Sequence, residues 1–306
     1  MKRYNSPKRL RQLTLVEKIC RYFIEKWRCE IINSLQQMIL DYAERAFQLK
    51  NQVTDLSSMV SAGGDTIHVP KVTEETAASL SSGSAVTYGT NTDGKVDLSV
   101  DQHAYEAKRI GDIVEVQENA DLFGMYAKSM GYSIAKFVEN YIAVNVIQAA
   151  TGNDVTLSSD NTFTTALIRS GLQSFLDAGH SYTDGDAFLY CSPASYMSAL
   201  SLQDFYDASR RGDVQNPNVS GSVGMVYGVP TFVSTDWDDD GGTGDETASL
   251  FKREAVYMAM QLSPRVQSAY DIDYLSTSIV ADVIFGACLS HGASSTSLAV
   301  ANFNNP

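Results

Sequence analysis

The sequence feature that most constrains the fold is a long stretch without proline between residues 117 and 150. Apolar residues recur in it at intervals of three and four, which places them on one face of a helix. They are Ala127, Met130, Ile134, Val138, Tyr141 and Ile142. A single helix over this stretch would span roughly 50 Å. Two shorter helices broken at Gly131 are the alternative, since glycine weakens a helix.

Strand patterns precede this helix and surround a polar segment. The candidate strands are residues 66–69, 85–88, 96–100 and 103–116, in which apolar and polar residues alternate. Pro70 is expected to end the first, and Asp93-Gly94 is a strong hairpin-turn signal between the second and third. Residues 73–84 are small and polar, so they bury little. We therefore expect a projecting hairpin whose edges stay unpaired unless another chain covers them.

The segment 161–261 predicts a mixed α/β lobe. Helices are expected at 164–178 and 193–200, strands at 187–191 and 229–234, a loop at 207–228, and a strand or helix at 249–260. Pro193 suits the first position of its helix. Further along, residues 266–270 and 278–289 are apolar and predict strands.

Charge is distributed unevenly along the chain. The net charge is −13, yet residues 1–50 hold eleven Lys and Arg against five Asp and Glu, a net of +6 that leaves −19 for the rest. Residues 15–50 also follow a helical pattern whose apolar stripe needs a partner surface. A basic arm on an acidic body could contact nucleic acid or dock on a neighbouring copy. We favour the neighbour, because the acidic body would repel phosphate.

Composition also argues against a membrane or a disulfide-stabilised protein. No apolar run reaches the roughly 18 residues that a membrane span needs, and no secretory signal is recognisable at the N-terminus. The four cysteines lack a CxxC spacing: Cys20, Cys29, Cys191 and Cys288. We expect reduced thiols rather than disulfides or a zinc site.

The residues that could carry chemistry do not combine into a site. The four histidines stand in separate contexts without metal-ligand spacing: His68, His103, His180 and His291. Ser192 follows a strand but lacks the glycines of a nucleophile elbow. Three carboxylates copy the first half of a calcium loop: Asp236, Asp238 and Asp240. The twelfth position is Thr247 rather than Glu, so a solvated acidic loop is the favoured interpretation. We predict no catalytic, cofactor or metal site; a hydrolase using Ser192 or the Asp236–Asp240 cluster is the competing hypothesis.

Five motifs, in this order and spacing, resemble those of the major capsid proteins of tailed phages, which have the Hong Kong 97-type fold. The likeness is greatest to podovirus-like phages. The motifs are residues 23–27, 64–70, 109–122, 190–196 and 221–234. The resemblance implies an α+β subunit with an N-terminal arm, an extended β-hairpin loop, a long spine helix, and peripheral and axial domains.

The same resemblance implies a division of the chain. Residues 1–62 would form the N-terminal arm and first helix, 63–102 the extended hairpin loop, 103–160 the peripheral domain with the spine helix, 161–261 the axial domain, and 262–306 the return strands of the peripheral domain and a C-terminal tail.

The implied role is structural. Pentamers and hexamers of the chain would build an icosahedral shell around double-stranded phage DNA, assembled in the cytoplasm of the host bacterium. The implied partners are other copies, a separate scaffolding protein, a portal, a decoration protein and the packaged DNA. An encapsulin-like compartment shell is the alternative within the same fold. One relative crosslinks a lysine of its extended loop to an asparagine of a neighbour. Lys95 lies near the predicted hairpin tip, but we expect no crosslink.

Overall fold

The computed structural model describes most of the chain after residue 46. The described residues are 37–39, 41, 43, 47–60, 64–71, 77, 79, 80, 83, 85, 86, 88, 94–111, 122–157, 164–202, 224–235, 237 and 246–304. Four predicted features lie wholly or mostly outside them: most of the basic segment 1–50, with Cys20 and Cys29; the hairpin turn at 89–93; most of the loop 207–228; and the carboxylates Asp236, Asp238 and Asp240.

The described residues form helices and strands in the following order along the chain. The helices are α1 (Ser57–Val60), α2 (Leu122–Asn140), α3 (Thr165–Asp177) and α4 (Pro193–Leu200). A π-helix, Tyr141–Ile147, continues α2, and 3-10 turns occur at Leu49–Gln52 and Arg253–Ala255. The strands are β1 (Thr54–Asp55), β2 (Thr66–Lys71), β3 (Gly94–Ser99), β4 (Gln102–Gly111), β5 (Val155–Thr156), β6 (Ala187–Cys191), β7 (Met225–Val226), β8 (Val229–Val233), β9 (Glu246–Lys252), β10 (Val256–Asp271), β11 (Ser276–Leu289) and β12 (Val300–Asn304).

A four-stranded sheet with the order β1-β10-β11-β4 forms one part of the molecule. Its centre is the long antiparallel pair β10–β11, which runs from Val256 opposite Leu289 to Asp271 opposite Ser276. The helix α2 packs on this sheet. The ring of Phe285 on β11 meets the rings of Phe137 and Tyr141 edge-on, with centroids 6.3 and 5.3 Å away, an arrangement that aromatic pairs prefer.

The predicted long helix is confirmed for residues 122–147. Its apolar stripe is buried as expected, apart from the partly buried Tyr141, and each fully buried side chain of this kind contributes about 1.5–3 kcal/mol. Gly131 lies inside α2 and does not break it, so the alternative of two helices is wrong. Burial of the stripe on both sides of Gly131 outweighs its cost of about 1 kcal/mol.

A six-stranded mixed sheet with the order β5-β12-β9-β6-β8-β7 forms the second part. The predicted strand 187–191 and the predicted helices in this region are all present. Helix α3 packs closely on β12, since a Cβ added to Gly171 would come within 2.7 Å of the Phe303 ring. The predicted loop 207–228 is wrong at its end, because Met225–Val226 is a strand that turns back into β8.

The C-terminal strand joins the two parts of the molecule. The side-chain amide of Asn302 on β12 donates to three carbonyls at the end of the long helix, those of Ile147 at 3.1 Å, Gln148 at 3.3 Å and Ala150 at 2.6 Å. The Ile147 carbonyl also accepts from the Ala150 amide at 3.1 Å, but carbonyls at a helix end have no following helical turn to supply their usual donors. Asn302 is fully buried, so it satisfies the helix end where water has no access.

Each sheet contains strands from more than one segment of the division that the resemblance implies. Strand β12 lies within 262–306, the segment assigned to the peripheral domain and tail, yet it pairs with β9 in the six-stranded sheet. Strand β10 of the four-stranded sheet already begins at Val256, inside 161–261. The short β5, inside 103–160, pairs with β12. The sheet that each of these strands joins is therefore determined by partner strands far away in the sequence.

The projecting hairpin has different strands from those predicted. Strand β2 pairs with β3, from Thr66 opposite Ser99 to Lys71 opposite Gly94, so Pro70 does not end the first strand. The described positions 85, 86 and 88 lie in no strand. Burial explains the correction, because Ile67 stands opposite Leu98 and both belong to a small core beneath the hairpin. Residues 72–93 therefore connect the two strands.

Candidate assembly surfaces

The predicted nucleophile Ser192 is a buried helix cap. Its Oγ accepts a hydrogen bond from the Ser195 amide at 3.2 Å at the start of α4, and its own amide donates to the Thr247 carbonyl at 2.8 Å. The residue is 0% exposed. Burial also raises the pKa of the adjacent Cys191 thiol to about 12, so that it stays protonated near neutral pH. Neither side chain is placed to attack a substrate.

Each of the four histidines has its own hydrogen-bond or ion-pair partner. The pairs are His68 with Asp97, His103 with Asp282, His180 with Glu254, and His291 with Ser290. Burial lowers the pKa of His291, which favours its neutral form. Within the described ranges, no group of three or more His, Cys, Asp or Glu is arranged to hold a metal ion.

Lys95 lies at the loop end of the β2–β3 pair, next to the last paired residues, Lys71 and Gly94. It stands opposite Pro70 in the β2–β3 pair, and its Nζ lies 3.1 Å from Oδ2 of Asp97. The hydrogen bond from His68, 2.5 Å from Nδ1 to Oδ1, and then that from Lys95 lower the pKa of Asp97. The cluster is exposed to solvent, so it adds little stability, and the pairing of Lys95 gives no support to a crosslinking role.

A charged network crosses three strands of the four-stranded sheet. Arg265 on β10 binds both oxygens of Asp282 on β11, at 2.8 and 2.9 Å. His103 on β4 lies 3.1 Å from the same carboxylate. The hydrogen bonds of Arg265 and His103 lower the pKa of Asp282, against the opposing effect of its burial. Two-point binding by a guanidinium fixes geometry, so this network holds the three strands in register.

The sequence contains only a weak signal for this network. Asp282 interrupts an otherwise apolar run in β11, and a carboxylate in such a run needs a partner on a neighbouring strand. The identity of that partner depends on the register of β10, which residue spacing alone does not give.

The outer edge of β4 is an exposed surface of the four-stranded sheet. Strand β4 pairs with β11 on one side, and none of the described strands pairs with its other side. Beside this edge, Tyr105 is 71% exposed and Phe137 on α2 is 48% exposed. Together with Glu106 and Ser133 they line a shallow cleft between the strand and the helix. We call this surface the β4 edge.

Two further exposed surfaces are apolar. At the tip of the β10–β11 hairpin, Ile272, Tyr274 and Leu275 are between 63 and 76% exposed, and the Arg109 guanidinium lies over the Tyr274 ring at 4.2 Å. In the segment between β2 and β3, Val86 is 62% and Tyr88 is 91% exposed. Large apolar groups clustered at exposed positions are typical of interaction sites.

None of the described helices is long and apolar enough to cross a membrane.

The fold is similar to that of solved phage structures. A chain of mycobacterium phage Che8 has a TM-score of 0.70 at 21% sequence identity, and the match covers 84% of this chain and 91% of that one. A chain from the capsid of cyanophage P-SCSP1u has a TM-score of 0.67 at 15% identity, over 85% and 88%. A chain from the capsid of the native GTA particle has a TM-score of 0.64 at 11% identity, over 84% and 89%.

Sequence comparison alone does not find these relationships. No protein-family model matches the chain, and no curated protein sequence matches it. The structural matches cover 84 to 85% of this chain and 88 to 91% of the matched chains. The chain thus has the α+β fold of phage capsid proteins, the Hong Kong 97-type fold.

Proposed function

We propose that this chain is the major capsid protein of a tailed phage and that its copies assemble into an icosahedral shell enclosing double-stranded DNA. The main support for this proposal is the fold, which matches chains of phage and GTA capsids over at least 84% of this chain.

Each part of the fold has a place in this proposal. The four-stranded sheet with α2 is the peripheral domain, and the six-stranded sheet with α3 and α4 is the axial domain. Strands β2 and β3 with residues 72–93 form the extended loop. Residues 1–62 include the N-terminal arm, whose positive charge suits an acidic neighbour.

The exposed surfaces of a single copy support assembly. The β4 edge, the β10–β11 tip and the segment around Tyr88 each expose large apolar or aromatic side chains. Covering them with neighbouring copies removes apolar area from water, at about 25 cal/mol per Å². A shell gives every copy such neighbours.

The proposed role is structural rather than catalytic. Ser192 caps a helix, and the histidines make separate pairs. The proposed partners beyond other copies are a separate scaffolding protein, a portal, a decoration protein and DNA at the inner surface. The proposed location is the virion capsid, after assembly in the cytoplasm of the host bacterium.

The experiment is expression of the chain in bacteria, alone and together with the products of the genes adjacent to its own. Sedimentation and negative-stain electron microscopy are then applied to both preparations. The proposal predicts closed shells or capsomers in at least one. Monomers in both, across low and high salt, would contradict it. In virions, nuclease-protected DNA inside the shell supports a phage capsid, whereas packaged enzyme identifies an encapsulin-like compartment.

A further inference from the structure

We propose that His180 is a pH-sensitive clasp at the junction of the two sheets, complete only when both nitrogens of its imidazole ring carry a proton. The inference concerns the single subunit. It goes beyond the proposed function, since it does not require copies to assemble.

Two neighbouring connections of the chain link the two sheets. The first is the 3-10 turn Arg253–Ala255, which leads from β9 of the six-stranded sheet to β10 of the four-stranded sheet. The second is the segment 290–299, which leads from β11 back to β12. The Ser290 amide donates to the Ala255 carbonyl at 2.8 Å, which joins the two connections. A side chain bound to both of them therefore influences how the two sheets are held together.

The end of α3 fixes the position of His180. The His180 amide donates to the Phe175 carbonyl at 2.8 Å, and the Gly179 amide donates to the Leu176 carbonyl at 3.0 Å. Gly179 has a φ of +82°, so these bonds form the Schellman motif that ends many helices. The ring therefore follows the negative end of the helix dipole, where a protonated histidine is stabilised. The last turn of α3 also carries Asp177, whose charge has the same sign.

The ring of His180 contacts one acceptor on each connection. Its Nδ1 lies 3.2 Å from Oε1 of Glu254 in the 3-10 turn, and its Nε2 lies 3.0 Å from the Ser297 carbonyl oxygen in the segment 290–299. An ionised carboxylate and a carbonyl only accept hydrogen bonds. A neutral imidazole has one N–H and can donate to one of them, whereas the protonated ring has two and donates to both. The complete clasp therefore requires the second proton.

The charges beside the ring also favour its protonated form. Glu254 and Asp184 supply two carboxylates. The ammonium of Lys252 lies between them, 3.0 Å from Oε1 of Glu254 and 3.6 Å from Oδ2 of Asp184. The guanidinium of Arg253 lies over the Phe188 ring, 5.9 Å from its centroid. Two carboxylates and one ammonium leave a net negative charge beside the imidazole, which stabilises a positive ring.

His291, on the second connection, does not compete for the proton. Its burial lowers its pKa, and the charges of Lys71 at the end of β2 and of His180 lower it further. His291 is therefore mostly neutral near neutral pH, and it adds no positive charge that would oppose a protonated His180. Of these two histidines, His180 is the one that takes up the proton.

The direction of the pH dependence follows from the two contacts. The folded protein binds the protonated ring better than the unfolded chain does, so the clasp contributes its full stability below the ordinary histidine pKa of about 6.5. This stability is lost as the pH rises past the value at which the folded protein releases the proton. One contact then disappears, and a nitrogen lone pair faces an acceptor oxygen. The junction of the two sheets is thus tighter in weak acid than in weak base.

The first experiment compares the unfolding temperatures of the unassembled wild-type subunit and of His180→Gln between pH 5.5 and pH 8. Glutamine can form hydrogen bonds but cannot gain a charge. The wild type should exceed this variant by roughly 2–4 °C more at pH 5.5 than at pH 8. A difference that is the same at both pH values would overturn the inference and leave the proposed function untouched.

His68→Gln is the matched control for this comparison. His68 also pairs with a carboxylate, that of Asp97, but its side chain is 60% exposed. An exposed pair contributes little to stability, so this variant should unfold within about 1 °C of the wild type at every pH. A pH dependence equal to that of His180→Gln would show that the effect is general to histidine pairs and would refute a special role of the junction.

The second experiment uses Glu254→Gln and gives a result even if His180→Gln fails to fold. The Glu254 side chain is 56% exposed, so its replacement should leave the fold intact. The clasp predicts that the difference in unfolding temperature between the wild type and Glu254→Gln is larger at pH 5.5 than at pH 8. If Glu254 acted only through Lys252, whose charge is the same at both pH values, the difference would not change, and the clasp would be refuted.

Discussion

Replacement of Asn302 should separate the end of the long helix from the strand that supports it. The Asn302 amide has two N–H groups, and these serve three carbonyls at 2.6 to 3.3 Å. In Asn302→Ala the carbonyls stay buried without these donors. A buried group that loses its partner costs about 1–3 kcal/mol, so the loss of two hydrogen bonds should cost about 2–4 kcal/mol. At about 2 °C per kcal/mol for a large domain, the unfolding temperature should fall by roughly 4–8 °C.

The assay is calorimetry of the unassembled subunit, which separates subunit stability from assembly. Asn302→Asp should be more severe than Asn302→Ala, because it keeps the shape but sets a carboxylate against carbonyl oxygens. Asn304→Ala is the control: its amide makes one bond of 3.3 Å to Asp154 at an exposed position, and its effect should stay within about 0.5 kcal/mol. An Asn302→Ala subunit that unfolds within 1 °C of the wild type would refute this role of β12.

Three further predictions concern the hairpin and the four-stranded sheet. Gly286→Ala should destabilise the subunit by about 1–3 kcal/mol in thermal unfolding, because the added Cβ would collide with the Ser99 carbonyl oxygen. Gly292→Ala is the control and should leave the unfolding temperature unchanged, since Gly292 has open space around it. Asp282→Asn should lower the free energy of unfolding by about 1–3 kcal/mol at pH 7. The pKa of Asp282 is lower in the folded than in the unfolded protein. The ionised Asp282 therefore stabilises the fold above its unfolded pKa of about 3.9, and this stabilisation is lost as the pH falls through its folded pKa. Urea unfolding at pH 7 and pH 3 should therefore show a smaller difference from the wild type in acid, and an unchanged difference would contradict the network. Residues 72–93 can be replaced by Asn-Gly, which suits a two-residue turn between the paired Lys71 and Gly94. This variant should unfold within about 3 °C of the wild type but form no shells. Normal shells on electron micrographs would exclude a role of the loop in assembly.

The sequence was sufficient to predict helices and strands that depend mainly on interactions between neighbouring residues. The long helix follows from its apolar period and the absence of proline. Helix α4 follows from Pro193 at its first position and the Ser192 cap. Strand β6 follows from the short apolar run Ala187–Cys191. All five of these residues are buried in the structure.

The pairing of strands could not be predicted in the same way. Residues 66–69, 85–88 and 96–100 all alternate, and the Asp93-Gly94 turn signal favoured pairing of the last two. The structure pairs the first and last, because Leu98 and Ile67 share a core with Ala259, far along the chain. Likewise, nothing near residues 300–304 indicates that they pair with β9, some fifty residues earlier.

The assembly surfaces were predictable only in outline. The small, polar character of residues 73–84 indicated a projecting loop that another chain would cover. The open edge of β4 could not be predicted, because an edge is a property of the whole sheet. Among the described strands, β4 is an edge because of the order β1-β10-β11-β4.

The central claim is that this chain builds a closed shell, and cryo-electron microscopy of the purified assemblies tests it most directly. The account predicts closed icosahedral particles in which rings of five and six copies have the described fold, with residues 72–93 of each copy lying over a neighbour. A preparation that contains only monomers or open aggregates, with and without the products of the adjacent genes, would contradict it.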